Sequence, residues 1–139
     1  HFPNADYYVN RTHWERSLNP HIRERASFIP SLSERLIASK RLRLVDDTDM
    51  IEEDIKISFH ISHGHTVGLM ISEIQIPGKH PIFFMSDLVP GLPWVHLPIS
   101  MGYDRFSELL VDEKQKIFDI ILEKEGLLYF THDPTVDFA

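Results

Sequence analysis

The residues of this 139-residue chain best able to do chemistry stand in three short polar clusters, each closing an apolar run. They are Phe59-His60-Ile61-Ser62-His63-Gly64-His65-Thr66, Phe83-Phe84-Met85-Ser86-Asp87 and Leu128-Tyr129-Phe130-Thr131-His132-Asp133. The apolar parts read as strands, and strand ends along one rim of a sheet are where catalytic groups are commonly presented. There is no cysteine, so any metal must be held by His, Asp and Glu. Two imidazoles and a carboxylate, from His65, His132 and Asp87, would suit zinc or a similar divalent ion. His63 is a further candidate, and Gly64 and Gly68 would let the backbone turn tightly beside an ion. The gaps of 87 − 65 = 22 and 132 − 87 = 45 residues fix no local geometry, so each of the three is also open to reading as an ordinary loop cap.

The surrounding elements must bring those ends together. Asp6–Asn10 is aromatic and β-branched at its centre and runs into Arg11–Leu18, with Trp14 and Leu18 at helical spacing: a short strand, then a short helix. Ser31–Lys40 reads as a helix, with Ser31 or Ser33 as cap and Leu32, Leu36 and Ile37 on one face. Arg41–Val45 alternates charged and apolar residues, a strand, before the acidic turn Asp46-Asp47-Thr48-Asp49. Asp54–Ile76 holds two strands flanking the polar knot Ser62–Thr66, Pro77-Gly78-Lys79 is a turn, and Pro81–Met85 is a buried strand. Val89–Gly102, with three prolines, is a long irregular loop. Phe106–Lys124 is an amphipathic helix stopped at Gly126, and Leu127–Phe130 returns to the sheet.

Composition sets the outer bounds. At 42% hydrophobic and 25% charged the chain is in the ordinary globular range, and its length suits one compact domain. A net charge of −7 argues against nucleic acid as a partner. The longest apolar runs, such as Pro81–Met85 and Gly126–Phe130, are too short to span a membrane. The lack of cysteine is compatible with a reducing compartment and no signal peptide is visible at His1, so a cytoplasmic location is expected.

Ser62-His63-Gly64-His65-Thr66-Val67-Gly68 resembles the GHTPG-type motif of the metallo-β-lactamase superfamily. Phe84-Met85-Ser86-Asp87-Leu88 resembles its GD motif and Phe130-Thr131-His132-Asp133-Pro134 its terminal HD motif, in matching order and spacing. The nearest likeness is to the lactonase-like and organophosphate-hydrolase-like branch, where a segment similar to Phe2-Pro3-Asn4-Ala5 leads into the second half of the fold. The resemblance implies an α/β fold in which residues 1–139 form the C-terminal half of an αββα sandwich, a mixed sheet with outer helices. It also implies roles: His65 on one metal, His132 on a second and Asp87 bridging the two, with two divalent ions, zinc, as cofactor. Ions roughly 3.5 to 4 Å apart share an activated water. The implied activity is hydrolysis of an ester-like bond in a small-molecule substrate, such as a lactone, a thioester or a phosphotriester.

This sequence departs from the pattern in two minor places and one major one. Val67 stands where the motif usually has Pro and Leu69 where His is frequent; neither is expected to be a ligand. The HxHxDH motif, which supplies four more ligands, is absent: His1, His13 and His21 do not reproduce it, and His60 to His65 has a different spacing. The chain alone is therefore expected to be inactive until completed by a missing N-terminal half or a partner chain, with homodimerisation as another way to cover the exposed face. The alternative is a non-enzymatic interaction or folding module with a relic, incomplete metal site.

Around the irregular loop, Trp94, His96 and Met101 either wall a substrate pocket or pack against the fold. Tyr103 is the candidate catalytic donor to a developing oxyanion, beside Asp87, or else a buried structural tyrosine. Asp133 either orients His132 or caps the turn before Pro134. The Asp46–Asp54 acids lack the regular spacing of a calcium loop and read as a solvated turn.

Overall fold

The computed structural model describes residue 2 and residues 4–139, so His1 and Pro3, which enter the motif readings above, lie outside the described residues. Where length suggested one compact unit, the chain forms two, His1–Asp46 and Asp47–Ala139, and the boundary falls in the exposed acidic stretch 46–49.

In the first unit β1 (Tyr7–Asn10) pairs in parallel with β2 (Leu42–Val45). Parallel partners need a crossover, and α1 (Arg11–Leu18), a 3-10 turn at Arg25–Ser27 and α2 (Leu32–Ser39) provide it. Asn10 does two jobs from a buried position. Its Oδ1 accepts the N–H groups of Thr12 and His13 at 3.0 and 3.2 Å, capping α1, while Nδ2 donates to Val45 O at 3.4 Å across the strand pair. The helix expected at Ser31–Lys40 forms, but Ser31 makes no side-chain cap bond, and Lys40 closes the other end in the left-handed region at φ 59°. None of the α2 residues is buried, so Leu32 and Ile37 of the expected apolar face stand exposed.

The second unit carries β3 (Met50–Glu52), β4 (Lys56–Ser62), β5 (Leu69–Gln75), β6 (Ile82–Phe84), α3 (Ser107–Glu123) and β7 (Leu127–Tyr129). The sheet order is β3-β4-β5-β6-β7, antiparallel throughout except for the parallel β6–β7 pair, which α3 joins as crossover. β3 is an addition to the expected strands. Three residues among acids are too short to show a period, and only the ladder with β4, Met50 opposite Ser58, makes them a strand.

The face of the sheet toward α3 forms the core: Ile71, Phe83 and Met85 cluster with Leu110, Ile117 and Ile121 of the helix and with Phe130. Each such side chain contributes roughly 1.5–3 kcal/mol on burial. The return from α3 to β7 must pass close to Phe83, since a Cβ on Gly126 would lie 2.6 Å from that ring. On the other face the rings of Phe84 and Tyr129 stack with centroids 5.6 Å apart, and Phe138 meets Tyr129 edge-on. Among the described residues no helix is long and apolar enough to cross a membrane.

Strand direction decides where the polar ends go. β4 and β6 are both antiparallel to β5, and β7 is parallel to β6, so the C-terminal ends of β4, β6 and β7 share one rim. The opposite rim is organised by buried Glu73 of β5. Lys124 Nζ donates to both of its carboxylate oxygens at 2.7 and 2.8 Å, Gln75 donates to one, and His60 Nε2 lies 2.9 Å from the other. Burial pushes this carboxyl up, but the hydrogen bonds from Lys124, Gln75 and His60, with the Lys124 charge, bring it below the ordinary 4.5.

Candidate metal centre

Each of the three candidate ligands stands three residues beyond a strand on the shared rim: 65 − 62 after β4, 87 − 84 after β6 and 132 − 129 after β7. They meet around one carboxylate. Asp87 Oδ2 lies 3.4 Å from His65 Nε2, and Asp87 Oδ1 lies 3.0 Å from His132 Nε2. One oxygen therefore serves each imidazole. Asp87 is partly exposed and His132 largely so, with 68% of its side chain accessible, whereas His65 is mostly covered.

The backbone that presents Asp87 is strained. Ser86 sits at φ 49°, in the left-handed region, where a side chain is disfavoured. Two bonds hold it: Ser86 Oγ donates to Met70 O at 2.8 Å, and Thr131 Oγ1 donates to Ser86 O at 3.1 Å. Beyond the sheet the two loops continue to pair, through His132 N to Pro90 O at 2.9 Å and Leu92 N to Asp133 Oδ2 at 2.9 Å. Asp133 thus caps and ties the turn. Its other oxygen accepts from the Thr135 and Val136 N–H groups, and the donors, led by Leu92, draw its carboxyl from 3.8 to about 2.

His65 is fixed from several directions. Its main-chain oxygen accepts from Arg105 N at 3.2 Å, and the neighbouring Gly64 O accepts from Phe106 N at 2.9 Å. Gly64 itself presses on α3, for a Cβ there would fall 2.4 Å from Leu110 Cα. From α3, Glu113 accepts Ser62 Oγ–H at 2.6 Å and the N–H groups of His63 and Gly64 at 2.9 Å each. The imidazole Nδ1 lies 2.8 Å from Oδ1 of Asp104, whose side chain is fully covered. A carboxylate only accepts, so this contact places a proton on Nδ1, and Nε2 is the nitrogen that faces Asp87.

Donor chemistry and spacing fit a small divalent cation. Two ligand atoms about 2.0–2.1 Å from one tetrahedral ion lie about 3.3 Å apart, close to the His65–Asp87 separation. An imidazole nitrogen facing a carboxylate oxygen at this distance calls for a proton or a cation between them. Each pair supplies only two ligands. Among the described residues no group of three or more His, Asp or Glu is assembled to hold an ion by itself.

The remaining candidates separate by their contacts. His63 turns in on its own loop, where Nδ1 accepts Gly68 N–H at 3.1 Å. Tyr103 is 64% exposed, which removes the reading of a buried structural tyrosine. Its ring meets His65 edge-on, centroids 5.9 Å apart, and its hydroxyl donates to Met101 Sδ. Trp94 packs against the core, and His96 is exposed while its carbonyl accepts from Lys114. Asp104, Glu113 and Lys114 were not among the sequence candidates. The last two carry the ordinary signature of a helix's polar face, and only their burial and partners distinguish them.

No protein-family model matches the sequence, and no curated protein does. Solved structures match well. The chain superposes with TM-score 0.83 and 22% identity on a probable metal-dependent hydrolase from Staphylococcus aureus, covering 99% of this chain and 48% of that one. On AidC, described as a dizinc quorum-quenching lactonase, the values are 0.75 and 18%, covering 99% and 51%. On AbOPH, a hydrolase of the beta lactamase superfamily, they are 0.72 and 19%, covering 99% and 51%. The chain therefore has a metallo-β-lactamase-type α/β fold and spans about half the length of the structures it matches.

Proposed function

We propose that the chain is the C-terminal half of a metal-dependent hydrolase, with His65 serving one divalent ion, His132 a second and Asp87 both. The observation that carries this reading is the Asp87 carboxylate, one oxygen toward each imidazole, at the rim where three strands end. Two such ions, zinc or a similar divalent metal, would supply an activated water at neutral pH and polarisation of the scissile group.

This chain's own residues hold and orient. Asp87 fixes the distance between the two imidazoles, and the loop pairing of Thr131 with Ser86 and of His132 with Pro90 keeps that distance. Tyr103, edge-on to His65 and exposed, is positioned to turn its hydroxyl from Met101 to a developing oxyanion. The substrate is a small molecule with an ester-like bond: a lactone, a thioester or a phosphotriester. Since each ion gains only two ligands here, the remaining ligands come from an N-terminal half, either preceding residue 1 or on a partner chain. The second reading, a non-enzymatic module that keeps a relic of the site, draws on the described residues bringing only two ligands to each ion.

The test is metal content and hydrolysis in the full natural-length protein. Two zinc ions per domain, lost together in Asp87→Ala along with turnover of at least one of the three ester classes, is the expected result. A protein that binds no zinc, or that binds two and hydrolyses none of the three, sinks the enzyme reading and leaves the module.

A further inference from the structure

Asp104, beside His65, and Lys114 of α3 are buried charges outside the proposed ligand set. Asp104 is 4% exposed and Lys114 is 0% exposed. A carboxylate so covered is costly unless it is hydrogen-bonded and paired. Asp104 is hydrogen-bonded at both oxygens: Oδ1 receives His65 Nδ1–H at 2.8 Å and Oδ2 receives Met101 N–H at 2.5 Å. Asp104 N–H in turn donates to Met101 O at 3.0 Å, so its backbone is locked in a tight turn before α3. Lys114 donates to His96 O at 3.2 Å and to Ile99 O at 3.0 Å, stapling the irregular loop to the helix. Burial holds its ammonium below the ordinary lysine range, and the charge of Asp104 opposes that shift.

We propose that Asp104 is the positioning residue of the centre, holding His65 in the Nδ1–H tautomer with Nε2 aimed at Asp87. This rests on the metal reading above for its purpose, but not for its geometry. An imidazole with one nitrogen tied to a rigid carboxylate cannot flip or exchange tautomers freely, and its other nitrogen becomes a stronger ligand. Asn at residue 104 would keep the shape and remove the charge. Its amide can either accept from Nδ1–H or, flipped, donate to Nδ1 and drive the proton to Nε2.

The experiment has two independent readouts on the full natural-length protein. In metal-free protein, nitrogen NMR with labelled histidine, the His65 signal being assigned by its loss in His65→Gln, should report a protonated Nδ1. Asp104→Ala should move the proton partly or wholly to Nε2. Titration calorimetry with zinc should then give an affinity 10- to 100-fold weaker in Asp104→Ala, the range found when the carboxylate behind a ligating His is removed, with a smaller loss in Asp104→Asn. Should Asp104→Ala fail to fold, Asp104→Leu, whose side chain neither accepts nor donates, carries both readouts. A His65 that stays Nδ1–H in the variant that removes the acceptor, or a zinc affinity there within twofold of the parent, overturns the proposal. Parent protein that takes up no zinc instead overturns the metal reading, and the tautomer measurement still decides the role of Asp104.

Discussion

Glu113 Oε2 accepts the main-chain N–H of Gly64 at 2.9 Å, joining the middle of α3 to the loop that presents His65. The same carboxylate also takes Ser62 Oγ–H and His63 N–H, so one side chain satisfies three donors at the end of β4 and in the loop that follows it. Glu113→Ala leaves those donors without it. We expect a loss of about 1–3 kcal/mol of stability, read by urea denaturation, together with weaker zinc binding. Unchanged stability would mean that water replaces the clamp at no cost.

Gly64 is required by contact, not by its dihedral angles. A methyl group there would lie 2.4 Å from the Cα and 2.6 Å from the N of Leu110, both backbone atoms of α3 that no rotamer change can move. Gly64→Ala should cost about 3 kcal/mol or more, or pull the His65 loop off the helix. A melting temperature equal to the parent's would contradict that packing.

Asp133 sets an acid limit. Its carboxyl is held at about 2 in the folded chain against an ordinary 3.8, chiefly by the Leu92 and Thr135 N–H groups. A lowered folded value gives stability that is present above the unfolded value and lost as pH falls through the folded one. Melting temperature should therefore fall from near pH 4 to near pH 2 more steeply in the parent than in Asp133→Asn. Parallel curves would show that the turn does not depend on the charge.

The Glu73–Lys124 pair should show a related dependence at the opposite rim. Lys124→Met removes the cation from a buried carboxylate and should cost about 1–2 kcal/mol near neutral pH, the lysine being partly solvent-screened. Glu73 is held below its ordinary 4.5, so the difference between parent and variant should shrink as pH drops through and below that value and the carboxyl is protonated. A gap that is constant with pH would point to lost packing of the lysine stem instead.

By itself the sequence determined the three strand-end clusters, because apolar alternation followed by polar residues is a local signal, and it singled out His65, Asp87 and His132 as the groups with ligand chemistry. The helices at Arg11–Leu18 and Ser107–Glu123 were legible for the same reason, from 3.6-residue periodicity. Tertiary structure alone decided that the three clusters share one rim, since that follows from strand order and direction, and pairing partners are not written in any one segment. It decided the two-unit division, the short strand at Met50–Glu52 and the left-handed backbone at Ser86. It also decided which polar residues are buried. Asp104 meets His65 across 39 residues and Glu113 meets Gly64 across 49, and charged residues beside or on an amphipathic helix look like any solvated face until the fold removes the water around them.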